Sequence, residues 1–158
     1  MARPGVADIS EEPLFFKMGM YKAAIPRRLL YSNIHFWFEA IAGDRTRCGL
    51  TAYAVRLLSD LFRIEWRVKP GDSICMGQVL GEVESTKAVA ELCTPMAGSL
   101  SSVNAAALAD PSQVNLDPYR AWLLEFSGRP ENALTPEEYV AFLGTEWERT
   151  EKALRDGD

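Results

Sequence analysis

Hydrophobic and polar residues alternate in short runs over most of the chain, and turn residues separate the runs. Short alternating runs bounded by glycine, proline and aspartate are typical of strands joined by tight turns. The pattern therefore predicts a mainly β fold. The predicted strands cover residues 29–43, 45–51, 62–68, 73–85, 88–94, 99–104 and 121–127.

Three segments have a helical pattern instead, and they lie between or after the strands. Thr51 can cap a short helix with an apolar stripe, and residues 104–119 carry helix formers interrupted by two Asp-Pro pairs. Thr135 and Glu138 form a capping box around Pro136, which suits the first helical position. Gly144 leaves open whether that last helix stops or continues. We expect these helices to be peripheral.

The chain of 158 residues is long enough for one domain with a buried core. Residues 1–13 are polar and predicted to form a loose tail, and residues 14–30 are mixed in pattern, with Pro26 excluding a continuous helix. We therefore expect an N-terminal extension over 1–27, a β-rich domain over 28–128, and a C-terminal helical segment over 129–158 that packs on the domain.

Charge and composition exclude several kinds of partner. The net charge of −5 disfavours nucleic acid and anionic membrane surfaces, which both need clustered lysine and arginine. No apolar stretch approaches the roughly 18 residues of a membrane span, and the N-terminus lacks the apolar core of a secretory signal. The 3 cysteines are widely spaced without a CxxC pair, which predicts neither a disulfide framework nor a zinc site. We expect a cytoplasmic protein.

The sequence offers few residues for catalysis. Its single histidine, His35, lies in an aromatic strand, and no phosphate-binding glycine loop, nucleophile elbow or metal-ligand cluster accompanies it. A lone histidine in a strand is more often structural than catalytic. The sequence therefore predicts a protein that is not an enzyme.

One lysine stands in an unusual setting. Residues 82–90 read E-V-E-S-T-K-A-V-A, so Lys87 lies in a very short loop between two predicted strands and must project into water. Its neighbours Ser85, Thr86 and Ala88 are small, and the acidic residues just upstream could guide an electropositive modifying enzyme. An ordinary solvated turn lysine remains the alternative. The setting suits a lysine that another protein acylates.

The segment V-E-S-T-K-A at 83–88 resembles the lipoylation site of the glycine-cleavage H protein family. The resemblance covers about residues 28 to 144 and includes five further motifs in the family's order. These are H-F-W at 35–37, G-L-T-A-Y-A at 49–54, P-M-A-G-S-L-S-S-V-N at 95–104, V-N-L-D-P-Y-R-A-W-L at 114–123 and E-E-Y-V-A-F-L-G at 137–144.

The resemblance implies a lipoyl-carrier fold, the barrel-sandwich hybrid, in which two small antiparallel sheets pack together and helices lie around them. It implies that lipoic acid is attached covalently to Lys87. The recognition turn around that lysine would comprise Glu84, Ser85, Thr86 and Ala88. The lipoyl-lysine would act as a swinging arm that carries a group between separate enzymes, so the protein itself need not be a catalyst.

The resemblance leaves the carried group open, because family members typically read H-E-W where this chain has Phe36 between His35 and Trp37. A neutral aromatic ring attracts a cationic amine only weakly. Our first hypothesis is therefore a lipoate-binding protein that delivers sulfur intermediates to a heterodisulfide-reductase-like sulfur-oxidation complex. The second is the glycine-cleavage carrier, which serves glycine decarboxylase, aminomethyltransferase and dihydrolipoamide dehydrogenase. Both need a lipoate-attaching enzyme, and the third hypothesis is an unlipoylated binding or regulatory module.

Four residues are candidates for a cleft that receives the arm: His35, Phe36, Glu91 and Cys93. Glu91 and Cys93 alternate with Val89 along one strand, so these three side chains should share a face. An arm that folds back could then exchange disulfides with Cys93. The alternative is that Cys75 and Cys93 are small buried residues.

Overall fold

A computed structural model describes residues 12–156, and antiparallel strands dominate this part of the chain. Most of the predicted tail and the end of the chain lie outside the described residues. In chain order the elements are β1 (Leu14–Met18), β2 (Tyr21–Ile25), β3 (Leu30–Tyr31), β4 (Phe36–Ile41), β5 (Arg45–Leu50), α1 (Ala52–Leu58), β6 (Leu61–Trp66), β7 (Ser73–Ile74), β8 (Val79–Ser85), β9 (Val89–Cys93), β10 (Gly98–Val103), α2 (Ala105–Ala109), α3 (Ser112–Leu116), β11 (Leu124–Ser127) and α4 (Pro136–Asp156).

The predicted mainly β fold with antiparallel sheets is confirmed. One sheet has the strand order β3-β4-β5-β11-β10-β7, and a second has the order β6-β8-β9. Side chains from both sheets meet in one buried cluster, in which Phe36, Leu50 and Phe126 of the larger sheet contact the group around Leu80 and Val83 of the smaller one. Burial of this apolar surface is what holds the two sheets face to face.

A third, two-stranded sheet was not predicted. It is the hairpin β1–β2, in which Leu14 pairs with Ile25 and Met18 with Tyr21. The mixed pattern of residues 14–30 concealed it, because β1 and β2 are short and Lys17 pairs with Lys22 on the exposed face. The division of the chain after residues 27 and 128 stays a prediction.

The hairpin is held by a second buried cluster on the far side of the larger sheet. Its residues come from the first four strands, from α1 and α4, and from Leu29 between β2 and β3. The Tyr119 hydroxyl links these parts, since it donates to the carbonyl of Ala24 in the hairpin and accepts from the amide of Ala52 at the start of α1. The N-terminal hairpin is therefore packed against the same helix that approaches Lys87.

The predicted helix starts are confirmed. The Thr51 hydroxyl accepts from the amide of Ala54, which caps α1. In α4 the Thr135 hydroxyl accepts from the Glu138 amide at 3.1 Å, and the Glu138 carboxylate accepts from the Thr135 amide at 2.9 Å. Gly144 does not stop α4, which runs to Asp156. No helix among residues 12–156 is both long and apolar enough to cross a membrane.

Two glycines should respond in opposite ways to the same substitution. Gly144→Ala adds a methyl group at a helix position where no atom lies within 4 Å apart from the adjacent residues and the backbone of the helix itself, so the free energy of unfolding should rise by about 0.5–1 kcal/mol. Gly81→Ala would push its methyl group into the carbonyl of Glu65 on β6. We expect a loss of roughly 1–3 kcal/mol, measured by urea unfolding. Equal effects of the two substitutions would contradict this packing.

Candidate functional site

The β8–β9 hairpin places Lys87 at its tip. Val83 pairs with Ala90 and Glu84 with Val89, so only Thr86, Lys87 and Ala88 remain between the two strands. All three loop residues are exposed, and the Lys87 side chain forms no salt bridge with a described residue. Its amine is thus available to a modifying enzyme.

Ser85 fixes the shape of this loop from below. It is buried, with 7% of its surface exposed, and its hydroxyl oxygen accepts hydrogen bonds from the amides of Lys87 and Ala88, both at 3.2 Å. The same hydroxyl donates to the Ala88 carbonyl, and the Ser85 amide donates to that carbonyl at 2.9 Å. One buried side chain therefore satisfies two loop amides and holds the backbone that carries Lys87.

A second set of hydrogen bonds ties the loop to the end of α1. The Thr86 amide donates to the Asp60 carbonyl at 3.0 Å, and its hydroxyl donates to the Ser59 hydroxyl at 3.2 Å. Asn115 of α3 then holds the same segment, because its side-chain amide donates to the Ser59 carbonyl and its oxygen accepts from the Leu61 amide, both at 2.9 Å. The hairpin tip, α1 and α3 therefore form one connected unit.

Ser59, Asp60 and Asn115 were missed by sequence reasoning. Ser59 has a backbone φ of +73° where α1 ends, which is rare for a residue with a side chain. The only signal for Asn115 was its position in the V-N-L-D-P-Y motif, which does not show what the side chain contacts.

A surface cavity of about 440 Å³ opens beside Lys87. It combines apolar, aromatic, polar and charged groups, so it can hold an alkyl chain along one wall and a polar group at its ends. Its lining residues are Tyr21, Val55, Arg56, Ser59, Asp60, Lys87 and Asn115.

His35 and Phe36 lie elsewhere, and neither lines this cavity. Phe36 is only 1% exposed and belongs to the core between the sheets. The His35 ring nitrogen Nδ1 lies 2.9 Å from the Tyr139 hydroxyl, and burial lowers the pKa of His35 to about 4. His35 therefore packs as a neutral ring in the cluster beneath α4, and the role of both residues toward the arm stays a prediction.

Glu91 and Cys93 lie on the outer face of the smaller sheet. Val89, Glu91 and Cys93 are all exposed, which confirms that they share a face. Glu91 forms a surface ion pair with Arg67 at 3.4 Å, whereas Cys93 pairs with Val79 at the end of the hairpin far from Lys87. The interpretation of Cys75 and Cys93 as buried residues is wrong, because both thiols are exposed. Cys75 lies directly after β7 and Cys93 is the last residue of β9, and both side chains face solvent.

The family model described as glycine cleavage H-protein matches residues 29–146. A glycine cleavage system H protein of Thermoanaerobacter sp. is 39% identical over 122 residues, which are 75% of this chain and 95% of that protein. The chain belongs to the glycine cleavage H-protein family. A glycine cleavage system H protein of Clavibacter sepedonicus is 40% identical over 119 residues, 73% of this chain and 94% of that protein.

A solved structure agrees with the family assignment. The crystal structure of a glycine cleavage system H protein from Mycobacterium marinum superposes with a TM-score of 0.68 at 35% identity, and the match covers 76% of this chain and 99% of that one. H proteins are lipoyl carriers that serve a multienzyme system, and this chain is accordingly a carrier and not an enzyme. The N-terminal hairpin β1–β2 precedes the residues that the family model matches.

Replacing Ser85 by alanine should loosen the loop around Lys87. The substitution removes the acceptor of two loop amides, so we expect a loss of about 1–2 kcal/mol in the free energy of unfolding and faster hydrogen exchange at the amides of Lys87 and Ala88. Native-state hydrogen exchange measures both effects. Ser99→Ala, at an exposed position of β10, is the matched control. Unchanged exchange at the two amides would show that Ser85 does not hold the loop.

His35 should make the protein less stable in mild acid. Its pKa is lowered in the folded state, so the unfolded chain binds the proton more readily and protonation favours unfolding. The stability that the neutral ring contributes is complete above about pH 6.5 and is lost as the pH falls toward 4, with a slope of at most about 1.4 kcal/mol per pH unit. His35→Asn, which suits the backbone φ of +69°, should remove this component from urea unfolding curves. Identical pH profiles for the two proteins would contradict the burial of a neutral ring.

Proposed function

We propose that Lys87 carries lipoic acid in amide linkage and that the chain carries the aminomethyl group in a glycine cleavage system. The observation that supports this most strongly is an exposed lysine at the tip of a braced hairpin, in a chain whose relatives are named glycine cleavage system H proteins. Bound lipoate supplies a disulfide that becomes a dithiol by two-electron exchange and can hold a group on one sulfur.

The described residues fit such an arm. Glu84, Ser85, Thr86 and Ala88 would present Lys87 to the lipoate-attaching enzyme, with Ser85 holding the loop and its small neighbours leaving the amine accessible. After acylation Lys87 loses its charge, and its chain can lie in the cavity against Val55 and Tyr21. Asn115 and Ser59 keep that wall in place through their hydrogen bond.

The partners we propose are glycine decarboxylase, aminomethyltransferase and dihydrolipoamide dehydrogenase, in addition to the lipoate-attaching enzyme. A tethered arm raises the effective concentration of the carried group at each docked enzyme, so a carrier can connect three active sites without one of its own. The cytoplasm remains the proposed compartment, since the thiols of Cys48, Cys75 and Cys93 are all free.

Carriage of sulfur intermediates to a heterodisulfide-reductase-like complex is the second candidate. It ranked first on the sequence alone, and the names of the relatives now favour glycine cleavage over it. One observation still favours it: Phe36 is buried where family members typically have an acidic residue, so it offers no charge to an amine. If this candidate is correct, glycine decarboxylase does not load the arm from glycine. The third candidate, an unlipoylated module, expects no lipoate at all.

Lys87→Arg should abolish lipoylation and leave the fold intact, because the side chain is exposed and arginine cannot form the amide. We expect the wild-type protein, produced in cells with a lipoate-attaching enzyme and lipoate, to gain one lipoyl increment in its intact mass. Peptide mass spectrometry should place that increment on Lys87.

Lys22→Arg, at an exposed position of β2, is the matched control and should be lipoylated like the wild type. A wild-type protein without the increment in competent cells would refute the carrier function. An increment retained by the Lys87→Arg variant would refute the attachment site.

A further inference from the structure

A positively charged side chain, that of Arg56, forms part of the wall of the cavity beside Lys87. Arg56, in the last turn of α1, is exposed and lines the cavity. Its guanidinium carbon lies 4.6 Å from the centre of the Tyr21 ring, a cation–π contact that holds the side chain over the hairpin. Arg56 forms no salt bridge with any residue between 12 and 156 whose side chain is described, so its charge is not neutralised by a carboxylate.

The hydrogen bonds of the site place Arg56 away from the hairpin tip. Ser59 and Asp60 contact Thr86 and are therefore next to the Lys87 loop. Arg56 precedes Ser59 by three residues, which is close to one turn and about 5 Å along a helix axis. Tyr21 lies against Arg56 and closes the wall at that point. An arm that leaves Lys87 along α1 therefore passes Asp60 first and meets the Arg56–Tyr21 pair later.

The charges facing the cavity then determine which form of the arm is favoured. The charged and titratable groups that line it are Arg56, Asp60, the Tyr21 phenol and Lys87, and acylation removes the charge of Lys87. Asp60 lies near the attachment point, and Arg56 lies toward the sulfur end. A nearby guanidinium lowers the pKa of a thiol because it stabilises the thiolate, whereas it repels an ammonium group.

We propose that Arg56, held by Tyr21, is a positioning residue that stabilises the thiolate of the reduced lipoyl arm in this cavity. The thiol proton passes to solvent, and the thiolate remains beside the guanidinium. The inference rests on the proposed lipoylation of Lys87, and it gives the N-terminal hairpin, which lies before the family match, a part in the site.

The test measures the acidity of the arm thiols. Lipoylated protein, confirmed by intact mass, is reduced with a phosphine and treated with iodoacetamide at a series of pH values. Peptide mass spectrometry follows alkylation of the Lys87 peptide separately from the exposed thiols of Cys75 and Cys93. The pH dependence of the rate gives the pKa of the more acidic arm thiol.

Arg56→Gln should raise that pKa by roughly half a unit, which lowers the thiolate fraction at neutral pH about threefold. Arg56→Lys keeps the charge and should retain most of the effect, while Tyr21→Leu, which removes the ring under Arg56, should give a smaller rise than Arg56→Gln. Arg149→Gln on α4 removes an exposed arginine elsewhere and is the matched control. Circular dichroism checks that each variant is folded.

The possible outcomes distinguish the role of Arg56 from the lipoylation of Lys87. Equal pKa values in wild type and Arg56→Gln, or an equal rise with Arg149→Gln, would overturn the role of Arg56 and leave lipoylation of Lys87 untouched. Absence of lipoate on the wild-type protein would overturn both proposals. We expect the pKa of the arm thiol to rise in Arg56→Gln but not in Arg149→Gln. In Arg56→Lys it should stay close to the wild-type value.

Discussion

The contact between the Lys87 loop and the end of α1 determines the geometry of the whole site. Thr86 binds the Ser59–Asp60 segment, and Asn115 holds that segment from the other side. These are hydrogen bonds between parts of the chain that are far apart in sequence, so they form only when both sheets and the helices are in place. The hairpin tip is therefore positioned by the folded domain, and the cavity beside Lys87 exists because α1 and the tip are held together.

The sequence predicted those features that local chemistry determines. The capping box at Thr135 and Glu138, the helix after Thr51 and the short loop at Lys87 all follow from neighbouring residues. The N-terminal hairpin was missed, because its pairing is stabilised by contacts with α1 and α4 that local patterns do not show. The contacts of Asn115 and the burial of Phe36 depend in the same way on segments distant in sequence.

The two buried clusters have different consequences for function. The core between the sheets supports the β8–β9 hairpin and is built entirely from residues that the family model matches. The second cluster adds the N-terminal hairpin to α1, and through Tyr21 that addition reaches the wall of the cavity. A lipoyl carrier needs an exposed lysine on a firm support, and the first cluster provides it. The second cluster adds Tyr21 of the N-terminal hairpin to the cavity beside Lys87.

We propose that the arm on Lys87 carries a group derived from glycine. The most direct measurement offers the lipoylated protein to glycine decarboxylase with isotopically labelled glycine and follows the label on the Lys87 peptide by mass spectrometry. A control H protein from a glycine cleavage system shows that the decarboxylase is active. We expect label on Lys87 that depends on both glycine and the decarboxylase. A fully lipoylated protein that stays unlabelled while the control H protein is labelled would contradict aminomethyl carriage by Lys87.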